Sequence, residues 1–183
     1  MRMYLLPLVA ILAAVAGCDT ASPDSPGTRT AIAQESNTAL ERMYAQDPGL
    51  RNLTANAYGY AIFPEVGEAA VGIGGASGKG IVYKGGQRVG TVTLEQASIG
   101  VQLGGQTFGE LIIFQDEHAL NRLMNNSVEF GADASATIVK AGAAGSTNFA
   151  NGVQIYILPK GGLMAGVSLN GQKFHFIPSQ TNG

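Results

Sequence analysis

The sequence predicts an α+β protein built around an antiparallel, glycine-rich sheet, strongly curved or barrel-like, with N-terminal helices and one mid-chain helix. Residues 59–109 hold 14 of the chain's 26 glycines, interleaved with Val, Ile, Ala and Thr, a density that rules out helix. Apolar residues recur at every second position in Val71/Ile73, Ile81/Tyr83, Val89/Thr91/Thr93 and Ile99/Val101/Leu103, the period of a strand with one face buried. Glycines inside these strands (Gly72, Gly74, Gly100, Gly104) are expected where strands bend, bulge or approach another backbone, which is the source of the predicted curvature.

Residues 1–17 carry one positive charge, Arg2, followed by an uncharged run from Met3 to Ala16. That run has the length of a signal-peptide core and is too short for a comfortable membrane span. Val15-Ala16-Gly17-Cys18 resembles the lipobox of bacterial lipoproteins, in which cleavage precedes a cysteine that carries the acyl chains. Cys18, the single cysteine of the chain, is then the lipid-attachment residue and the mature N-terminus. Asp19 resembles an inner-membrane retention signal of enteric bacteria, which points to an envelope protein facing the periplasm, with a lean toward the inner membrane. Residues 19–29 lack apolar periodicity and are dense in Pro, Ser, Asp and Thr, so with Cys18 before them they read as a lipidated, disordered tether over residues 18–29. About eleven such residues span roughly 18 Å.

The folded domain is expected over residues 30–178, with 179–183 as a tail. Thr30 to Gln46 places Ile32, Ala39, Leu40, Met43 and Tyr44 on one helical face. Its polar face lacks Lys/Arg enrichment, so the helix is expected to pack on its own sheet rather than lie in a bilayer. A second helix has Asp47 as N-cap and Pro48 at its first position, buries Leu50, Leu53 and Ala57, and stops at Gly59. Lys84-Gly85-Gly86-Gln87 fits a two-residue primed hairpin turn that sets Tyr83 opposite Arg88. Residues 110–114 read as a short buried strand, and Asp116 as the cap of a helix burying Ala119, Leu120, Leu123 and Met124. Sheet returns over Ala132–Val139 and Gly152–Leu158, and Leu163–Ile177 reads as a hairpin closed by Asn170-Gly171.

The blocks AIFPEVGEAAVGIGGASGKGIVY, SIGVQLGGQTFGELIIF and YILPKGGLMAGVSLNG resemble the SYLF domain family, also called the lipid-binding or yeast-actin-binding SYLF domain. The resemblance runs from about Thr30 to Ile177. Eukaryotic members carry a Trp-Ser-x-Pro block where this chain has Thr91-Val92-Thr93-Leu94, and the chain has no Trp. Eukaryotic relatives bind phosphoinositides, and some bind actin filaments. The resemblance therefore implies a non-catalytic domain that binds lipid or a membrane-associated partner.

The residues themselves exclude several chemistries. Charged residues are 13% of the chain and the formal net charge is −2, with no basic excess for nucleic acid. GIGGASGKG at 72–80 fails as a phosphate loop, because Ile73 stands where the first Gly is needed and Gly80 where a hydroxyl must reach magnesium. Ile81-Val82-Tyr83 then continues as a strand, so no helix N-terminus receives a phosphate. His118 and His175 lie beside no nucleophile motif, and their spacing predicts no metal site. No enzyme, cofactor or metal is expected. Lys79, Lys84 and Arg88 fall near one glycine-rich end and Lys160 and Lys173 near later turns. If the turns converge, these five form a rim for anionic lipid headgroups, each worth about 1 kcal/mol near an anionic surface. The other reading is a scaffolding lipoprotein that contacts an envelope protein.

Overall fold

The computed structural model describes residues 26–126, 136–146, 148–162, 169 and 171–179. The leader, the lipobox with Cys18 and most of the tether lie outside them. Helix α1 spans Pro26–Gln46, so the last four residues of the expected tether are helical. Proline is well suited to the first helical position because its missing N–H has no intrahelical partner there. Ile32, Ala39, Leu40 and Met43 are buried as the spacing predicts, and Ser36 is buried with them. Helix α2 covers Gly49–Asn56. The N-cap is Pro48 rather than Asp47 and the first helical residue is Gly49; Asp47, one residue earlier, accepts from Gly49 N at 3.0 Å and also from Ala144 N. That single carboxylate ties the α1–α2 corner to the 3₁₀ turn Ala143–Ser146. Gly59 does not stop the helix. It opens β1, where a Cβ would lie 2.6 Å from Tyr83 O.

The expected run of separate strands is two long ones, β1 (Gly59–Lys84) and β2 (Gln87–Phe114), antiparallel along their whole length. The apolar run 110–114 is the end of β2 rather than a strand of its own. Gly85 and Gly86 have φ of 55° and 77°, and Tyr83 faces Arg88, as a primed turn requires. A straight strand of β1's length would span roughly 85 Å. Instead its ends meet, for Gly85 N donates to Tyr58 O at 3.2 Å. A Cβ on Gly80 would sit 2.6 Å from Ile62 O, and one on Gly78 2.8 Å from Glu65 O. The hairpin is therefore doubled over about its middle, where the ladder slips between Val71↔Leu103 and Ile73↔Ile99.

Doubling makes two layers. The first holds the start of β1, the end of β2, and β4 (Val153–Gly162), with β3 (Ala136–Ile138) beyond it; the second holds the end of β1, the start of β2, and β5 (Gln172–Pro178). The described sheet has the order β1-β2-β4-β3, with β5 also on β2, and this ladder is open. Pairing is antiparallel except between β3 and β4, which run parallel. Residues 139–152 supply the crossover that parallel neighbours need. Gly171 has φ 75° and Gln172 N donates to Leu169 O, while Asn170 of the expected Asn170-Gly171 turn lies outside the described residues. Residues 163–168 lie outside the described set, and β5's described partner is β2.

Between the layers Phe63, Phe108, Ile112, Phe114, Ile155 and Ile157 meet Val82, Val92, Leu94 and Phe174. Helix α3 (Glu117–Met124), capped by Asp116 accepting from Ala119 N at 2.8 Å, closes one end with Ala119, Leu120 and Leu123. A second core lies on the outer side of the first layer, where Ile62, Leu111, Ile113 and Tyr156 pack under Ala39, Leu40, Met43 and Leu50 of the helices.

Candidate ligand-binding face

Among the described residues, no helix covers most of the outer side of the second layer, where Ser77, Lys79, Glu95, Lys173 and His175 are exposed. Residues directly opposed in neighbouring strands share a face. The rung Lys79↔Thr93↔His175 and the rung Ser77↔Glu95↔Lys173 therefore set two lysines and a histidine on one surface. Lys79, Lys173 and His175 are exposed there. His175 is the outward member between Phe174 and Phe176, as its alternation predicts.

At the edge of this face lies an open cavity of about 210 Å³ lined by Arg29, Arg88, Thr91, Ile177, Pro178 and Ser179. β2 supplies Arg88 and Thr91, and Ser179 N donates to Val89 O at 2.8 Å, fixing the chain where β5 ends. Arg29 comes from the first turns of α1. The Nε of Arg88 is buried and has no hydrogen-bond partner. Opposite it, burial raises the Tyr83 phenol's pKa while the Arg88 charge pulls it down. Two guanidinium groups and two hydroxyl side chains around one opening make a site for an oxyanion, since the guanidinium fork matches carboxylate and phosphate geometry.

Three of the five rim residues thus share this side of the molecule: Lys79, Arg88 and Lys173. The other two are held elsewhere. Lys84 Nζ lies 3.7 Å from Glu117 Oε1 and 5.0 Å from the Tyr58 ring centroid, and its pKa is raised first by Tyr58 and then by Glu117. Lys160 Nζ is 3.0 Å from Glu65 Oε2. Arg29 was not among the expected site residues, because Pro and Ser density made its segment read as tether. The usable signal was Pro26 as a helix-opening residue.

Among the described residues no group of three or more His, Cys, Asp or Glu is placed to hold a metal, and no helix is long and apolar enough to cross a membrane. His118 is exposed on α3. Residues 95–181 match a family model described as Las17-binding protein actin regulator, Ysc84. The chain is also 24% identical over 149 residues to Beta cell expansion factor A of Aeromonas veronii, an alignment covering 80% of this chain and 56% of that protein. The chain therefore spans little more than half the length of that relative.

Proposed function

We propose, from the match of residues 95–181 to that family model and the likeness to that relative, that the chain is a SYLF-domain protein of the lipid-anchored, non-catalytic envelope kind whose domain binds anionic headgroups. The observation that carries the reading is the pairing of Arg29 with Arg88, whose buried Nε has no partner, in one open cavity. The formal net charge of the whole sequence is −2, and loss of Arg2 with the leader makes it −3. An anionic bilayer repels such a domain as a whole, so attraction must be local and must fade with salt. Lys79 and Lys173 lie on the same layer, with Glu95 opposite Lys173 in the ladder, while the ion pairs of Lys84 and Lys160 with glutamates argue against a part for them. The scaffolding reading, with an envelope protein as partner, is the one left standing if lipid does not bind.

Cosedimentation of the mature chain, leader omitted and Cys18→Ser, with phosphatidylglycerol vesicles tests the proposal. Binding is expected at low salt and lost as the Debye length shortens from about 10 Å at 0.1 M to about 3 Å at 1 M. Arg29→Gln with Arg88→Gln should abolish it with unchanged circular dichroism, whereas Lys84→Gln with Lys160→Gln should leave it intact. Absence of binding by the parent chain at low salt would overturn the lipid reading.

Anchoring at Cys18 rests on the lipobox resemblance, and two or more acyl chains give the stable attachment that one does not. Radioactive palmitate should label the full chain and fail to label Cys18→Ser. The inner membrane and a periplasmic face are inferred from Asp19 and are read out by membrane fractionation. Barrel-like curvature belongs to the same proposal. It is supported by the Tyr58–Gly85 bond and by the stacking of Tyr60 on Tyr83 at 4.8 Å between ring centroids, and a crystal structure tests it.

A further inference from the structure

The first turns of α1 are weakly held by what is local to them. Pro26-Gly27-Thr28-Arg29-Thr30-Ala31 opens the helix, and glycine and the β-branched threonines are poor helix formers. The first turn has no acidic residue. It has a cation instead, for Arg29 stands at the positive end of the helix dipole, where a cation is unfavourable and an anion is stabilising. Packing adds little. Gly27, Thr30 and Ala31 are exposed, Thr28 and Arg29 are partly buried, and the first apolar side chain that the helix buries is Ile32.

Against this start lies the opening that Arg29 shares with Arg88, Thr91, Ile177, Pro178 and Ser179, so α1 forms one wall and β2, β5 and the residue after β5 form the other. None of the lining residues is acidic, and among the described residues neither guanidinium takes part in an ion pair. Arg88 Nε is buried without a partner. Two like charges at one opening push the helix start away from the sheet, and a buried donor calls for an acceptor. One anion between them answers both.

Resting on the headgroup reading of that opening, we propose that a phosphate oxyanion bound between Arg29 and Arg88 orders residues 26–31, so that filling the site and completing the start of α1 are one event. The anion cancels the repulsion, accepts from both guanidinium groups and lies at the positive end of the helix. Unwinding the helix start takes Arg29 out of the site, and losing the anion restores the repulsion, so each equilibrium shifts the other by the same factor. Residues 26–31 also join the domain to Cys18. Occupancy of the site therefore sets how much chain separates the anchor from the folded body.

Amide hydrogen exchange on the mature chain, Cys18→Ser, tests this with inorganic phosphate and with phosphatidylglycerol vesicles. The first N–H groups of a helix have no intrahelical partner, so the reporters are the amides of Thr30 to Ala33. Their exchange should slow about tenfold when phosphate stands at roughly ten times its dissociation constant, and should not slow in sodium chloride of equal ionic strength. Arg88→Gln should abolish the slowing. Gly27 is not a lining residue, and a Cβ there meets nothing within 4 Å, yet Gly27→Ala favours helix and should tighten phosphate binding by up to about fivefold. Arg29→Glu, which puts an acid at the positive end of the dipole and at the opening shared with Arg88, should protect the same amides without phosphate and end the response.

Equal slowing in chloride, slowing that survives Arg88→Gln, or a phosphate affinity unmoved by Gly27→Ala overturns the proposal. Its failure is distinguishable from that of the headgroup reading. Vesicle binding without slower exchange leaves headgroup binding standing and overturns the coupling. Slowing by phosphate but not by vesicles upholds the coupling and overturns lipid as the source of the phosphate, whereas slowing by vesicles alone upholds both and makes the ligand an esterified phosphate.

Discussion

The two layers of this sheet are made from the same two strands, yet they meet water differently. In the first layer both faces are buried, and its segments read as continuous apolar runs: Ala61-Ile62-Phe63, Leu111-Ile112-Ile113-Phe114 and Ile155-Tyr156-Ile157. In the second layer Val92, Leu94 and Phe174 point inward while Thr93, Glu95, Lys173 and His175 point out. Continuous runs mark strands covered on both sides, and alternation marks strands covered on one. The pattern therefore records which half of each strand lies under the helices, and the half left uncovered is where charge accumulates and where a ligand has access.

The comparison breaks most severely where the layers touch. Gly80→Val would push a branched side chain into Ile62 O and the Phe63 ring, which lie 2.6 and 2.8 Å from a Cβ there. Overpacking of that kind costs about 3 kcal/mol or more, and chemical denaturation should show it. Glu110 is next. Its carboxyl titrates at about 8 in the fold against an ordinary value of 4.5, so the folded chain holds a proton that the unfolded chain gives up. Stability should then fall as pH rises from about 4.5 to about 8 and level off above. Glu110→Gln, which has no proton to lose, should flatten that slope and stabilise the chain at pH 7 by roughly 2–3 kcal/mol. Gly171→Val places a β-branched residue at a φ of 75° and should cost about 1–2 kcal/mol. At the bottom of the scale, Lys84→Gln removes an exposed contact of 3.7 Å and should leave the thermal unfolding midpoint essentially where it is.

Local features were legible in the sequence. The Gly85-Gly86 turn, the Asp116 cap and the buried stripe of α1 each depend on residues a few positions apart, where turn geometry and helical period act directly. The doubling of the hairpin was not legible, because apolar alternation continues through residues 71–73 whether the ribbon is straight or folded. The parallel pairing of β3 on β4 was hidden for a similar reason, since strand direction depends on the crossover and not on the strand's own three residues. Glu110 carried a signal that went unread. It stands at the same parity as Phe108 and Ile112, two residues to either side, so a carboxyl was committed to the interior by alternation alone. Arg29 was missed because composition outweighed Pro26. Cys18 and the strand expected before Gly171 lie outside the described residues.

The bond from Gly85 N to Tyr58 O, where the two ends of β1 meet, also bears on how the chain folds. Rungs nearest Gly85-Gly86 join residues close in sequence, so the ladder can grow outward from the turn with little loop entropy at each step. Joining residue 58 to residue 85 requires the ribbon to bend first, and β5 must return across more than fifty residues to pair with β2. Assembly should therefore be sequential, with the ribbon formed early and the doubling late. Substitutions at the turn should slow refolding, whereas Gly80→Ala at the layer contact should mainly hasten unfolding. Stopped-flow chevrons of the two variants would separate the steps, and equal slowing of refolding in both would mean that turn and fold-over form together.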